Sequence, residues 1–360
     1  VLPYGVSKDK QKRMFIDFQN DVKVSDLHLA VQEGFENVEH AKRYTTLGMA
    51  TDQGKTSNIN GIHVLSQSLG KPVDKIGHTT FRPPYKPIPL GLIAGQYSKK
   101  LFKPVRKTPI DKWNLVNNAI WEPVADWRRA YAYPKSNEDL KETLSREVLS
   151  VRKNVGLLDS STLGKILVKG PDAGRFLDLI YTNMISTLKA GKCRYGLMCN
   201  EAGFVFDDGV VARLNDQSFL CHTTSGGADR VYAWLEEWLQ TEWHHLKVFI
   251  VNLTEQYSQI AVAGPKSREL LQTFESIDLS AEKLPFMNFI ETKIDDIWVR
   301  IYRISFSGEL SYELAVSSNQ AEELWNKLIK VGKKYKVQPY GTEALHILRA
   351  EKGFIVVGDE

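Results

Sequence analysis

Apolar and polar residues alternate along residues 304–316, on both sides of a turn at Gly308. Alternation with a period of two is typical of half-buried strands, so this stretch predicts two strands joined by a tight hairpin. Such a hairpin would bring Glu309 and Glu313 together beside the rings of Phe306 and Tyr312. A carboxylate beside an aromatic face suits a flat, nitrogen-rich ring, which stacks while its amino-pyrimidine edge donates hydrogen bonds. The alternative is a surface hairpin whose glutamates are solvated.

Apolar residues that recur at helical spacing predict a series of amphipathic helices. Ser25 is the predicted N-cap of the first of these helices. The predicted helices cover residues 26–34, 37–43, 136–155, 229–240 and 341–351, and a further helix places Ile59, Ile62, Leu65 and Leu69 on one face.

A strand, a Gly-Pro dipeptide and a helix follow one another twice in the second half of the chain. The first copy is the strand Lys165–Lys169 followed by Gly170-Pro171, and the second is Ile260–Ala263 followed by Gly264-Pro265. The recurrence of one supersecondary unit predicts two related α+β halves.

Two adjacent acids, Asp207 and Asp208, interrupt a hydrophobic strand pattern. Neighbouring side chains on a strand point to opposite faces, so one carboxyl can be buried while the other meets solvent. The pair is therefore a candidate site, and the alternative is an aspartate that caps a turn or a helix.

The loop Gly48–Thr56 is rich in Gly and Thr and precedes the helix that carries Ile59. Helix N-termini attract anions, so Arg43, Thr45 and Lys55 are candidates for contact with a flavin, a phosphate or a partner subunit. The spacing of a phosphate-binding P-loop is absent. The alternative is a structural turn.

Prolines concentrated between residues 81 and 109 are typical of an extended linker. Trp113, Trp121 and Trp127 follow and would pack this linker onto the next domain. We therefore predict a first domain over residues 1–80, a Pro/Trp-rich linker over 81–135 and a second domain over 136–360.

The 360 residues carry a formal charge of +4, with 42 % hydrophobic and 25 % charged residues. This composition is ordinary for a globular protein, and no dense Lys/Arg run indicates a nucleic-acid partner. The 3 cysteines fit no zinc spacing, so we predict no metal, and reduced thiols in the cytoplasm. No apolar window of about eighteen residues predicts a membrane span. The first residue, Val1, and the apolar run that ends at Asp359-Glu360 predict a piece of a longer protein.

Several short motifs, in their order along the chain, resemble the folate-binding aminomethyltransferase family of glycine cleavage. They lie within residues 145–360 and comprise Val168–Ala173, Tyr195, Gly203–Asp208, Ala263–Pro265, Ser307–Glu313 and Leu348–Glu351. The resemblance implies the fold of that family, with antiparallel sheets, and a site for tetrahydrofolate.

A second set of motifs resembles the alpha-subunit family of heterotetrameric sarcosine oxidases over the whole chain. The motifs are Phe15–Val22, Val38–Thr46, Gly48–Lys55, Thr80–Tyr85 and Cys193–Met198. The resemblance implies that residues 1–80 are the C-terminal remainder of an NAD-binding, pyridine-nucleotide-reductase-like domain, and that a C-terminal barrel is missing. It also implies beta, gamma and delta partner subunits, and NAD, FAD and FMN in the full complex.

The resemblance to the folate enzymes implies roles for five residues. Asp208 matches the catalytic carboxylate that orients the folate amine and takes up a proton. Tyr195 and Arg349 match residues of the folate pocket, and Glu313 matches the carboxylate that grips the pteridine edge. Phe306 stands where the family has a tyrosine, and it lacks the hydroxyl group.

Two further positions depart from the family pattern. A second pocket tyrosine falls on Ala212, and the acid just before the family arginine falls on His346. A histidine there is more often a core residue than a general base. For Arg349, the alternative to folate contact is an ion pair with Glu309 or Glu351.

The resemblance implies the folate-binding part of an oxidase. A partner subunit would oxidise sarcosine at a flavin, and the folate site would trap the methylene carbon as 5,10-methylenetetrahydrofolate. One alternative is a stand-alone folate-dependent aminomethyl- or methyltransferase. The other is a non-catalytic module that docks a partner subunit through the tryptophan-rich linker.

Overall fold

The chain divides into two compact units, Val1–Lys103 and Pro104–Glu360. The structure, a computed structural model, describes residues 8–11, 13–97, 101, 103–274 and 277–358. Val1 and Asp359-Glu360, on which the prediction of a longer protein depends, lie outside the described residues. Within the described part of the chain, no helix is both long enough and apolar enough to cross a membrane.

The first unit is a cluster of helices beside a two-stranded antiparallel ribbon. Apolar residues at helical spacing meet in one core, which includes Leu27, Ala41, Leu47 and Leu65. The elements of this unit are α1 (Lys8–Gln11), β1 (Phe15–Asp17), β2 (Val22–Lys23), α2 (Val24–Gln32), α3 (Val38–Thr45), α4 (Asn58–Leu69), the 3₁₀ turn Val73–Lys75 and α5 (Leu90–Ala94).

The predicted helices of the first unit are present, but the predicted N-cap at Ser25 is wrong. Helix α2 begins at Val24 directly after strand β2, and Lys23 occupies the N-cap position. The backbone N–H of Lys23 donates to Asp26 Oδ2 at 2.8 Å, so the first turn is closed without the Ser25 hydroxyl. For α3, Asn37 is the N-cap, and its side chain accepts from the N–H of Glu39.

In the described residues, the second unit is built of three sheets with helices packed on them. Its elements are β3 (Arg106–Lys107), α6 (Asp111–Val116), β4 (Ile120–Val124), β5 (Trp127–Ala132), α7 (Leu140–Lys153), β6 (Gly156–Asp159), β7 (Gly164–Lys169), α8 (Ala173–Ile180), the 3₁₀ turn Ile185–Thr187, β8 (Cys193–Cys199), β9 (Val205–Asn215), β10 (Ser218–Thr223), α9 (Ala228–Gln240), β11 (Phe249–Asn252), β12 (Tyr257–Ala263), α10 (Ser267–Leu271), β13 (Phe289–Ile294), β14 (Ile297–Tyr302), β15 (Ser311–Ser317), the 3₁₀ turns Ser318–Gln320 and Lys333–Tyr335 flanking α11 (Ala321–Gly332), β16 (Gln338–Pro339) and α12 (Thr342–Ala350).

The two larger sheets of this unit are mainly antiparallel. One has five strands in the order β11-β7-β10-β9-β8, and the other has six in the order β13-β14-β15-β12-β6-β16. The pairing of β16 with β6 is parallel, as is that of β3 with β5 in the small three-stranded sheet. The expected α+β class with antiparallel sheets is therefore confirmed.

The repeated strand–Gly-Pro–helix unit appears once in each large sheet, as β7–α8 and β12–α10. At the turn, Gly170 has φ +144° and Gly264 has φ +131°, a conformation that favours glycine. A Cβ at Gly170 would lie 2.1 Å from the carbonyl oxygen of Lys247, and one at Gly264 would lie 2.3 Å from that of Asn154. Both glycines therefore allow two backbone segments to approach closely.

Residues 104–135 of the predicted linker belong to the second unit. Trp113 contacts Trp325 with ring centroids 5.1 Å apart, and Trp127 is buried. The Arg128 guanidinium lies 4.2 Å from the ring of Trp121. These tryptophans thus pack within their own unit, and the docking-module alternative stays a prediction.

The predicted tight hairpin around Gly308 is wrong. Strand β14 ends at Tyr302, which pairs with Glu313 of β15, and residues 303–310 form an irregular connection between them. Glu309 of that connection pairs with Arg152 at 2.9 Å instead of lying beside Glu313. Beyond Tyr302, Arg303 stays bonded to Asn288 beside β13, while the carbonyl oxygen of Leu310 accepts the N–H of Gly264 beside β12, so the two arms do not pair with each other.

Candidate functional site

Tyr195 and Asp208 lie on neighbouring antiparallel strands. Tyr195 of β8 faces Val210 of β9, and Leu197 faces Asp208, so Tyr195 and Asp208 are diagonal neighbours on one face. The Tyr195 hydroxyl donates to Asp208 Oδ2 at 2.7 Å. Tyr195 is 42 % exposed, and Asp208 is half-buried. The structure thus brings together two of the predicted folate residues at a position open to solvent.

Asp207 has the opposite environment, as the alternation of strand side chains requires. Its carboxylate is fully buried and accepts hydrogen bonds from the N–H and the hydroxyl of Thr224, at 3.0 and 2.8 Å. It also accepts the N–H of Asp208 at 2.8 Å. Asp207 is therefore a structural acid that fixes the backbone from which Asp208 projects.

Burial raises the pKa of Asp208, the hydrogen bond from Tyr195 lowers it, and the charge of Asp207 raises it. Burial and the hydrogen bond to Asp208 both raise the pKa of Tyr195. A carboxyl whose pKa is raised holds a proton more readily than a free carboxyl does, which suits proton transfer. The phenol of Tyr195 thus orients the Asp208 carboxyl, and a catalytic role for Asp208 stays a prediction.

Glu313 stands on β15 in the six-stranded sheet, whereas Asp208 stands on β9 in the five-stranded sheet. It keeps part of its surface accessible among buried neighbours. Its Oε2 contacts the side-chain amide of Gln259 closely. Burial raises the pKa of Glu313, while Gln259 and the charge of Lys165 lower it.

Lys165, on β7, is a buried cation beside this carboxyl. Its Nζ donates to the carbonyl oxygens of Ser161 and Leu163, at 2.9 and 2.6 Å. Burial lowers the pKa of Lys165 to about 7, against the charges of Asp159 and Glu313. The sequence pattern does not single out Lys165, Gln259 and His222, because each stands at one end of an apolar strand run, where a polar residue is usually exposed.

Phe306 and Arg349 are linked through Phe354. The ring of Phe306 stacks on that of Phe354 with centroids 6.1 Å apart and planes 14° apart. Arg349 is buried and donates from Nη1 to the Phe354 carbonyl oxygen at 3.0 Å.

The two acids named as alternative partners of Arg349 both pair with Arg152. Its guanidinium lies 2.9 Å from Glu309 and 2.5 Å from Glu351. It also donates to the carbonyl oxygens of Ser307 and Leu348, at 2.8 and 3.2 Å. Arg152 therefore links residues 303–310, the connection that contains Phe306, to the C-terminal end of α12.

The weaker candidates of the first unit make local contacts. The Thr45 hydroxyl donates to the Ala41 carbonyl at 2.7 Å, and Arg43 pairs with Glu39 at 3.4 Å. Lys55 donates to the carbonyl of Tyr85 at 2.6 Å, with its Nζ 3.8 Å from the Tyr85 ring centroid. A role for these residues in contacting a flavin or a partner stays a prediction.

Two family models match the chain and divide it between them. The GCVT N-terminal domain model matches residues 110–360, and the Sarcosine oxidase A3 domain model matches residues 11–96. The first match covers well over half of the chain, and the sheets and the Gly-Pro repeat have the expected form. The chain therefore belongs to the GCVT N-terminal domain family. The predicted fold is thereby confirmed at the level of the family.

Sarcosine oxidase alpha subunits are similar to nearly the whole chain. The protein from Corynebacterium sp. (strain P-1) is 47 % identical over 96 % of this chain and 36 % of its own length. The protein from Rhizobium meliloti (strain 1021) is 44 % identical over 97 % of this chain and 35 % of its own length. The resemblance to this subunit family is confirmed, and the chain spans about a third of these relatives.

Aminomethyltransferases are similar to the second unit. That of Thermoanaerobacter pseudethanolicus (strain ATCC 33223 / 39E) is 36 % identical over 71 % of this chain and 66 % of its own length. The crystal structure of glycine cleavage system aminomethyltransferase T from Bartonella henselae aligns with a TM-score of 0.60 and 26 % identity, over 70 % of this chain and 64 % of that one.

Proposed function

We propose that this chain is the folate-binding part of a sarcosine oxidase alpha subunit. Its site would transfer the methylene carbon of the imine formed from sarcosine to tetrahydrofolate, giving 5,10-methylenetetrahydrofolate. The observation that carries the proposal is the solvent-facing Tyr195–Asp208 pair on a chain 47 % identical to a sarcosine oxidase alpha subunit.

Asp208 is the catalytic residue of the proposal. N5 and N10 of the folate each form a bond to the methylene carbon, and both bonds of the imine C=N break, the second one releasing the amine. At each of the two attacks Asp208 accepts the proton of the attacking nitrogen and passes it to the amine nitrogen, for which its raised pKa is suited. Tyr195 holds the Asp208 carboxylate in place through its hydroxyl.

The remaining residues bind the ring. Glu313 would accept hydrogen bonds from the amino-pyrimidine edge, because a carboxylate matches paired N–H donors. Phe306 offers an aromatic face, its ring stacks on the ring of Phe354, and Arg349 holds the backbone of Phe354 in place.

The oxidation itself belongs elsewhere in the assembly. The proposal assigns NAD, FAD and FMN, and the beta, gamma and delta subunits, to the full complex, with Arg43, Thr45 and Lys55 as contacts to a flavin or a subunit. The described cysteines are free thiols, which supports a reducing compartment such as the cytoplasm.

Titration of the purified chain with tetrahydrofolate, followed by calorimetry, tests the proposal. We expect saturable binding, and we expect Asp208→Asn and Tyr195→Phe to raise the Kd at least about tenfold, which is a loss of about 1.4 kcal/mol. Asp216→Asn is the matched control, because its side chain is 96 % exposed.

A second experiment addresses the reaction. The full set of subunits is co-expressed, with this chain either wild-type or carrying Asp208→Asn. Both complexes should produce peroxide that depends on sarcosine. Only the wild-type complex should yield 5,10-methylenetetrahydrofolate when tetrahydrofolate is present. Saturable binding and product formation that are unchanged in Asp208→Asn would count decisively against the proposed site.

The second candidate is a stand-alone aminomethyltransferase. The similarity of residues in the second unit to the Thermoanaerobacter enzyme favours it. The match of residues 11–96 to the Sarcosine oxidase A3 domain argues against it. Folate-dependent methylene transfer by this chain without any flavoprotein would decide for this candidate.

A further inference from the structure

A cluster of buried polar side chains from both large sheets surrounds Glu313. Lys165 comes from β7 and His222 from β10 of the five-stranded sheet, and Gln259 comes from β12 of the six-stranded sheet. Lys165, His222 and Gln259 are each at least nine-tenths buried. None of the three has a part in the proposed transfer, so their chemistry requires a separate explanation.

The hydrogen bonds of His222 fix its tautomer. Nδ1 lies 2.9 Å from the carbonyl oxygen of Val210, which only accepts, so Nδ1 must carry the hydrogen. Burial lowers the pKa of His222 to about 4, so the ring is neutral at pH 7. Its Nε2 is therefore a hydrogen-bond acceptor.

The amide of Gln259 donates to Glu313 and offers no donor to that acceptor. With the amide nitrogen on Glu313, the oxygen Oε1 has no geometric partner among the described residues, and neither has His222 Nε2. Yet Gln259 is close enough to His222 to raise its pKa by hydrogen bonding. Two buried acceptors would then face each other, which costs free energy.

A rotation of the Gln259 side-chain amide by half a turn removes this conflict. The rotation exchanges the amide oxygen and nitrogen, which have nearly the same size, so the side chain fills the same volume. The amide N–H then donates to His222 Nε2, and Oε1 faces the carboxyl of Glu313. The close contact between Gln259 and Glu313 then requires a hydrogen from Glu313. A protonated Glu313 is the state that gives each of these side chains a partner.

The balance of charge favours the same state. Asp159 accepts the Thr108 hydroxyl at 2.5 Å and the Ser161 N–H at 3.1 Å, so it is the acid best suited to stay ionised against Lys165. Glu313 has Gln259 as its hydrogen-bond partner and shares the charge of the same lysine.

The other titratable groups around Glu313 are neutral at pH 7. They are Cys193 on β8, Tyr302 on β14 and Tyr340 before α12, and burial raises the pKa of each. Arg300, which lies near Tyr302, is paired with Glu291 at 2.6 Å. Lys165 therefore acts on two acids, Asp159 and Glu313, and burial weakens its own hold on a proton, so we expect one of the two acids to stay protonated.

We propose that Gln259 is a positioning residue that holds Glu313 protonated when no folate is bound. A chain of hydrogen bonds runs from the Glu313 O–H to Gln259, then to His222 and then to the Val210 carbonyl oxygen. The proposal deepens the proposed function, and its second half, the loss of this proton when folate binds, depends on that function. When the amino-pyrimidine edge of the folate donates to Glu313, the O–H bond breaks, one proton leaves to solvent, and the Gln259 amide turns to donate to the carboxylate.

Infrared spectroscopy of the ligand-free chain tests the first half and needs no folate. We expect a carboxylic-acid carbonyl band at pH 7 that disappears in Glu313→Gln and shifts in Gln259→Met. Gln272→Met, at an exposed position, should leave the band unchanged. A wild-type spectrum without a band assignable to Glu313 would overturn the proposal.

Calorimetry with tetrahydrofolate in buffers of different ionisation enthalpy tests the second half on the wild-type chain. We expect release of about one proton per ligand bound, and an affinity that rises up to about tenfold per pH unit below the Glu313 pKa. Gln259→Met should flatten this pH profile without abolishing binding. Saturable binding with no proton release overturns the relay and leaves the proposed function standing, whereas absence of binding overturns both the second half and the proposed function.

Discussion

The Oε2 atom of Glu147 accepts a hydrogen bond of 2.8 Å from the backbone N–H of Gly341, which lies 194 residues further along the chain. Its Oε1 accepts the N–H of Tyr133 at 2.7 Å. Glu147 is fully buried on α7. One carboxylate therefore joins α7 to the end of β5 and to the start of α12, the helix that carries Arg349.

The substitution Glu147→Leu should destabilise the second unit by about 2–6 kcal/mol, because each of two buried N–H donors left unsatisfied costs about 1–3 kcal/mol. Glu147→Gln retains one acceptor oxygen, so it should reduce the free energy of unfolding by less than Glu147→Leu does. Urea unfolding monitored by tryptophan fluorescence measures the difference. A Glu147→Leu variant as stable as the wild type would mean that these donors find other partners.

The glycines of the repeated turn should tolerate no side chain. Gly170→Ala and Gly264→Ala each place a Cβ within 2.3 Å of a carbonyl oxygen, so we expect losses of more than about 3 kcal/mol in unfolding free energy. Gly191→Ala is the matched control, with φ +79° and no neighbour within 4 Å. Gly191→Ala should lower the free energy of unfolding only by the strain of a left-handed residue, about 1–2 kcal/mol. Equal losses at all three positions would show that strain alone matters.

Thiol reactivity should differ among the cysteines. Burial raises the pKa of Cys193 and of Cys221 to about 12, so almost none of either is thiolate at pH 8. Cys199 is half-buried at the end of β8. A thiol reagent should therefore modify Cys199 alone in the native chain, and all 3 cysteines after denaturation. Cys199→Ser should abolish native labelling, and rapid loss of further thiols would contradict the burial of the other two.

Lys165 should make stability depend on pH above neutrality. Its pKa is about 7 in the folded chain and 10.5 as a free side chain, so the unfolded state binds more protons between these values. Stability should therefore rise with pH in this window, by up to about 1.4 kcal/mol per unit. Urea unfolding at several pH values, with Lys165→Met for comparison, measures the effect. The same slope in both chains would place the titration on another group.

Sequence patterns determined the elements and some of the site. Helical spacing located the helices, and the recurrent Gly-Pro turn identified the repeat that stands in the two large sheets. Alternation along β9 separated the buried Asp207 from Asp208, because a strand side chain can only face one side or the other. These features depend on local geometry, which the sequence encodes directly.

Only the tertiary structure decided which residues cover each face of a strand. Lys165 stands at the start of an apolar strand run, where a lysine is usually exposed, yet it is buried with Gln259 of the other large sheet in the cluster around Glu313. The alternation around Gly308 predicted a hairpin, but the strand pairing stops at Tyr302. A local pattern distinguishes the two sides of a strand, but it holds no information about which residues, distant in the chain, will lie against either side.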